Sequence, residues 1–118
     1  MKIVVIWASN NPEKYWNKIV KDLVSKWYEV FPVNPNEETI EWLKTHKILK
    51  TVNKDFDIIN FVVPPNVTLQ ILIKYKKILK KKKIWIQPWA ENDEVKTYLE
   101  ENNFSDYITD SCIMLAKI

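Results

Sequence analysis

The chain has 118 residues, 47% of them hydrophobic, and a formal net charge of +3. That suffices for one domain around a single core, and it is far from the basicity that by itself implies a nucleic-acid partner. One cysteine, Cys112, excludes an internal disulfide, and one histidine, His46, leaves no His/Cys cluster of zinc type, so no metal site is expected. The apolar runs are only strand-length and the N-terminus lacks the layout of a signal peptide, so a cytoplasmic protein without a membrane span is expected.

Ile3-Val4-Val5-Ile6 is a β-branched run of the kind that forms a central parallel strand covered on both faces. After the polar turn Trp7 to Asn11, Asn11 can cap a helix and Pro12 suits its first turn. A strand feeding a helix N-terminus in this way favours a phosphate. Tyr15, Trp16, Ile19, Val20, Leu23, Val24 and Trp27 recur at three- and four-residue spacing, which predicts an amphipathic helix over 12–26. Position 27 then becomes the left-handed cap, where glycine is normally demanded.

Tyr28 to Val33 reads as the second strand, closed by the turn Asn34-Pro35-Asn36. Glu37 to Trp42 is read as one helical turn and Ile48 to Val52 as a connecting loop. Asp57 to Val63 is the third strand, which Pro64-Pro65 ends. Val67, Ile71, Leu72, Tyr75, Ile78 and Leu79 mark one face of a helix over 66–80. Its end is crowded by Lys74, Lys76, Lys77 and Lys80 to Lys83, for which a solvated helix end is a simpler account than a nucleic-acid patch. Ile84 to Gln87 is the fourth strand, Asp93 to Asn102 a helix, and Tyr107 to Thr109 a short fifth strand. The alternation predicts one α/β domain over 1–118: a Rossmann-like, doubly wound, five-stranded and mainly parallel sheet flanked by helices.

Ligands bind such sheets beyond the strands' carboxyl ends. A receiver domain needs acids after strand one and at the end of strand three, where this chain has Ala8-Ser9 and Pro64-Pro65. A nicotinamide dinucleotide site usually has an acid after strand two, and here Val33-Asn34-Pro35 stands instead. An NAD(P)-binding redox sensor is weakened, not excluded. A neutral strand end better suits a ribose that carries a phosphate.

The ordered segments Val5 to Trp16, Tyr28 to Pro35, Phe61 to Pro65, Ile84 to Asn92 and Cys112-Ile113-Met114 closely resemble the small single-domain CoA-binding proteins. These in turn resemble the N-terminal CoA-binding domain of the succinyl-CoA synthetase α subunit. The resemblance implies coenzyme A, or an acyl-CoA, across the strand ends. It sets Trp7, Ala8 and Ser9 on the phosphates with Lys14 nearby, and Asn34 and Pro35 beside the adenosine. Val63, Pro64 and Pro65 would run along the nucleotide and pantetheine, with Trp89, Ala90 and Asn92 bordering the last segment. Capping and turn chemistry account for Ser9 and Asn34 equally well before the resemblance is weighed.

Catalysis finds little support. Asp110, Ser111 and Cys112 are contiguous rather than arranged as nucleophile and base, and His46 falls in a loop. A small-molecule binding module is expected, with no protein partner specified: the resembled synthetase takes its phosphorylated histidine from a different domain, so its ligase activity is not implied.

Average usage of about 7% would give a chain of this length roughly eight glycines, yet it has none and carries six tryptophans. Trp7, Trp16, Trp27, Trp42 and Trp89 stand where the resembled family has glycine; Trp85 alone matches a family tryptophan. The pattern implies a gene that uses UGA for glycine, written here as tryptophan.

Overall fold

β1 (Lys2–Ile6) lies at the middle of the molecule, with Ile3, Val4 and Val5 fully buried and Ile6 nearly so. A strand with no polar face has core on both sides, and helices supply it. The computed structural model describes residues 1–6, 15–36, 38–40 and 43–116. The turn after β1, with Asn11 and Pro12, lies outside the described residues.

β1 pairs in parallel with β2 (Glu29–Val33) on one side and with β5 (Ile58–Phe61) on the other. β6 (Lys83–Ile86) and β7 (Tyr107–Ile108) extend the sheet, also in parallel, to give the order β2-β1-β5-β6-β7. The fold is therefore the expected Rossmann-like, five-stranded doubly wound sheet. Pro32 has no N–H for a ladder, which an edge strand tolerates.

Helix α1 (Tyr15–Ser25) buries Ile19, Val20 and Leu23. α2 (Pro65–Lys74) buries Thr68 and Leu72, α3 (Lys76–Leu79) buries Leu79, and α4 (Asp93–Glu101) buries Val95 and Leu99. Each fully buried leucine or isoleucine contributes about 1.5–3 kcal/mol relative to exposure.

Two expectations fail locally. The segment read as a helical turn over 37–42 instead holds the short strand β3 (Thr39–Ile40), antiparallel to β4 (Leu43–Lys44). β-Branched Thr39 and Ile40 suit a pleat better than a turn of helix. From this hairpin His46 returns beside β2, donating its N–H to the Pro32 carbonyl at 2.9 Å and accepting from the Asn34 N–H at 2.8 Å.

The single helix expected over 66–80 is two helices, broken at Tyr75 (φ −111°, ψ 22°). Lys74, Lys76, Lys77 and Lys80 place like charges three and four residues apart, which works against one continuous helix. The loop over 48–52 stands as expected, tightened by a 3₁₀ turn at Leu49–Thr51.

Candidate functional site

The connection from β1 leads outward to β2, whereas the chain after β5 proceeds to β6 on the other side. Right-handed crossovers running in opposite directions put their helices on opposite faces and leave a crevice at the carboxyl ends of β1 and β5. A cleft of about 310 Å³ lies there, bounded by Ile6 at the end of β1, Val33 and Pro35 after β2, and Val63 after β5. Its far walls are Ile48 and Leu49 on one side and Val67, Ile71 and Tyr75 on the other.

The lining is apolar apart from three long side chains, Lys47, Gln70 and Lys74. Among the described residues that bound it there is no carboxylate. Gln70 and Lys74 are four apart on α2, so they share a face. The Lys74 ammonium lies 5.6 Å from the centre of the Tyr75 ring. Apolar walls with a few polar ends suit a flat heterocycle bearing an anion.

Of the residues singled out in the sequence, Trp7, Ala8, Ser9 and Lys14 lie outside the described residues. Pro35 and Val63 meet in the cleft. Asn34 is fully buried beside it, and its side-chain oxygen accepts the Asn36 N–H at 2.8 Å, which shapes the turn after β2. Pro64 and Pro65 do more than end a strand: they are the N-cap and first residue of α2, positions where a missing N–H costs nothing.

The remaining three stand after β6. Trp89 is in a 3₁₀ turn (Pro88–Ala90), 39% exposed, with its indole N–H donating to the Val62 carbonyl at 3.0 Å. That bond lays the ring against the chain leaving β5. Ala90 is fully buried, and Asn92 caps α4 by accepting the Val95 N–H at 2.9 Å. Glu91, in the same segment, is paired with Lys96 at 3.1 Å. Its hydrogen bond holds the Lys96 amine above the ordinary 10.5.

Lys47, Gln70, Lys74 and Tyr75 escaped the sequence reading as site residues. Tyr75 falls on the apolar face that the periodicity assigns to the core, and nothing local to Lys47 distinguishes it from other lysines. The signal was positional and partial: α2 leaves the switch point, so the face that carries Val67, Gln70, Ile71 and Lys74 borders the ligand side, whereas no such argument reaches Lys47.

No chemistry-bearing pair faces the cleft from its described walls. His46 Nδ1 is engaged with Thr51 Oγ1 at 2.9 Å. The half-buried Cys112 Sγ accepts from Gln87 Nε2 at 3.0 Å. Gln87 belongs to a buried relay in which Asn60 Nδ2 donates to its Oε1 and to the Trp85 carbonyl, both at 3.1 Å, while Ile113 N–H also reaches that oxygen at 3.0 Å. The relay fastens the centre of the sheet to the C-terminal segment. Among the described residues no helix is long and apolar enough to cross a membrane.

Comparison with known proteins follows the same lines. The chain is 37% identical over 75 residues to the α subunit of an ADP-forming acetate–CoA ligase II of Pyrococcus furiosus, a match covering 61% of this chain and 16% of that one. The chain thus corresponds to a small part of that curated relative. A conserved hypothetical protein of Pyrococcus furiosus has the same fold at a TM-score of 0.85 and 45% identity, over 97% of each chain. A hypothetical protein of Pyrococcus horikoshii superimposes at a TM-score of 0.78 and 24% identity, over 96% of this chain and 78% of that one, which speaks to fold alone. The profile of the CoA binding domain matches residues 1–117, and the chain belongs to that family.

Proposed function

We propose that the chain binds coenzyme A or an acyl-CoA across the carboxyl ends of β2, β1, β5 and β6, as a binding module and not as a catalyst. The observation that carries this reading is the apolar cleft, with no carboxylate among its described lining residues, at the switch point of a chain belonging to a CoA-binding family. Trp7, Ala8, Ser9 and Lys14 take the phosphates in this reading, Asn34 and Pro35 flank the adenosine, and Val63, Pro64 and Pro65 line the path of the nucleotide and pantetheine. Trp89, Ala90 and Asn92 border the far end. The ligase activity named for the curated relative belongs to a chain of which the match covers 16%, so binding rather than ligation is carried over. The engagement of His46 by Thr51 and of Cys112 by Gln87 supports the same view.

The reading includes the tryptophans. Trp7, Trp16, Trp27, Trp42 and Trp89 are glycine in the native protein, read from UGA, while Trp85 is tryptophan. The support is Trp27, whose backbone stands at φ 70° with its side chain 93% exposed. Trp89 adds to it, because its indole lies at the strand ends where backbone alone would let a ligand approach.

Thermal shift tests both parts. With CoA at a hundredfold its dissociation constant, the form with glycine at those five positions gains about 2.7 kcal/mol of stability, and the chain as written gains less. NAD and a short oligonucleotide leave the melting point unmoved. A shift with NAD and none with CoA reverses the assignment in favour of a dinucleotide sensor.

A further inference from the structure

The cleft has two cations at its mouth and no anion among its described lining residues. Lys47 comes from the segment that returns beside β2, and Lys74 from the last turn of α2, so the two lining lysines are supplied by different elements. Both are exposed, and among the described residues neither is paired with a carboxylate. Lys82 is a contrast, since it is spent on the carbonyl of Phe56 at 2.6 Å and on that residue's ring. Ile48, Ile71 and Tyr75 line the same cleft as Lys47 and Lys74 and give it apolar walls suited to a planar base. Gln70, one turn before Lys74, offers an amide that both donates and accepts at the base edge.

A reader of an unmodified ribose presents a carboxylate to the two hydroxyls, and a carboxylate would repel a phosphate monoester. Two unpaired ammonium groups do the reverse. We propose that Lys47 and Lys74 recognise a phosphate monoester on the ribose of a bound adenosine, so that this cleft seats the 3′-phosphoadenosine end of CoA. The assignment rests on the CoA reading above and adds to it the residues that discriminate CoA from its 3′-dephospho form. Lys74 is held for this purpose along the Tyr75 ring, which limits its freedom before the ligand arrives.

The test is calorimetric titration of Lys47→Gln, Lys74→Gln and the double variant with CoA and with 3′-dephospho-CoA, in whichever of the tryptophan and five-glycine forms binds CoA. The unvaried protein prefers CoA by about tenfold or more, as expected for two charge-assisted contacts to one phosphate. Each single variant loses part of that preference and the double variant loses nearly all of it, while affinity for 3′-dephospho-CoA stays within about twofold. A double variant that keeps the full preference overturns the assignment and leaves the CoA reading standing. Failure of both the tryptophan and five-glycine forms to bind either ligand takes down the reading and the assignment together. A preference for NADP over NAD that the double variant abolishes, with no CoA binding, overturns CoA as the source of the phosphate.

Discussion

Position 27 is where a single side chain is most at odds with its backbone. α1 ends in a Schellman motif: Tyr28 N–H reaches the Leu23 carbonyl at 3.2 Å and Trp27 N–H the Val24 carbonyl at 3.0 Å. α4 ends with the same pair of bonds, Phe104 to Leu99 and Asn103 to Glu100. The left-handed residue is Trp27 at φ 70° in one and Asn103 at φ 59° in the other. Asparagine visits this region readily, whereas tryptophan gains nothing there to offset the clash. Trp85, by contrast, is buried with its indole N–H on the Ser111 carbonyl at 2.8 Å, as a tryptophan that belongs in its place should be. Trp27→Gly is therefore expected to stabilise the protein by about 1 kcal/mol in denaturant unfolding. An unchanged or lowered midpoint removes the strain argument. Peptide mass spectrometry of the native protein decides the recoding itself, because tryptophan there would be fatal to it. The cap was legible in the sequence because helix periodicity stops at Lys26 and the motif requires positive φ one residue later.

At the scale of elements, the strands and main helices were legible because burial on both sheet faces leaves uninterrupted apolar runs. The β3–β4 hairpin was not, because its two-residue ladders carry too few positions for a period to emerge. The lysine-rich end of α3 was legible only in part. Read as wholly solvated, it in fact sends Lys82 back across the turn before β5, to the carbonyls of Lys54 and Phe56 and over the Phe56 ring at 4.5 Å. Lys82→Met should cost about 1–2 kcal/mol in denaturant unfolding, whereas Lys81→Ala should stay within about 0.5 kcal/mol. Equal effects would return Lys82 to the solvated class. The start of β1 is tied to that same turn by the Lys2–Asp55 ion pair. Its hydrogen bond holds the Asp55 carboxyl below the ordinary 3.8. A depressed carboxyl stabilises the fold above its unfolded value and loses that contribution as pH falls through the folded one. The melting-point difference between wild type and Asp55→Asn should accordingly be present near neutrality and close as pH drops below 3.8. A constant difference across that range would assign the effect to something other than ionisation.

For the whole molecule, strand-helix alternation sufficed to give a parallel five-stranded sheet with its ligand side at the strands' carboxyl ends, whereas the order β2-β1-β5-β6-β7, and with it the switch point, is seen only in the structure. The cleft walls were beyond reach, because Lys47 and Lys74 are distant in sequence and come to line one cleft only through the return of His46 beside β2 and the placement of α2. Pro65 joins the two levels. It is the first residue of α2, and it stands between Val63 and Val67, both of which line the cleft. Glutamate at that position keeps a side chain the helix accepts, since a negative charge in the first turn complements the dipole. Stability should thus change by no more than about 0.5 kcal/mol in Pro65→Glu. The same charge faces an anionic ligand, so CoA affinity should fall by about tenfold and partly recover at high salt, as screening shortens the reach of the repulsion. Pro65→Gln, of similar size and no charge, should bind nearly as wild type. Loss of folding in both variants would show that the proline serves the helix alone, and unchanged CoA affinity in a folded Pro65→Glu would move the ligand's phosphates away from the start of α2.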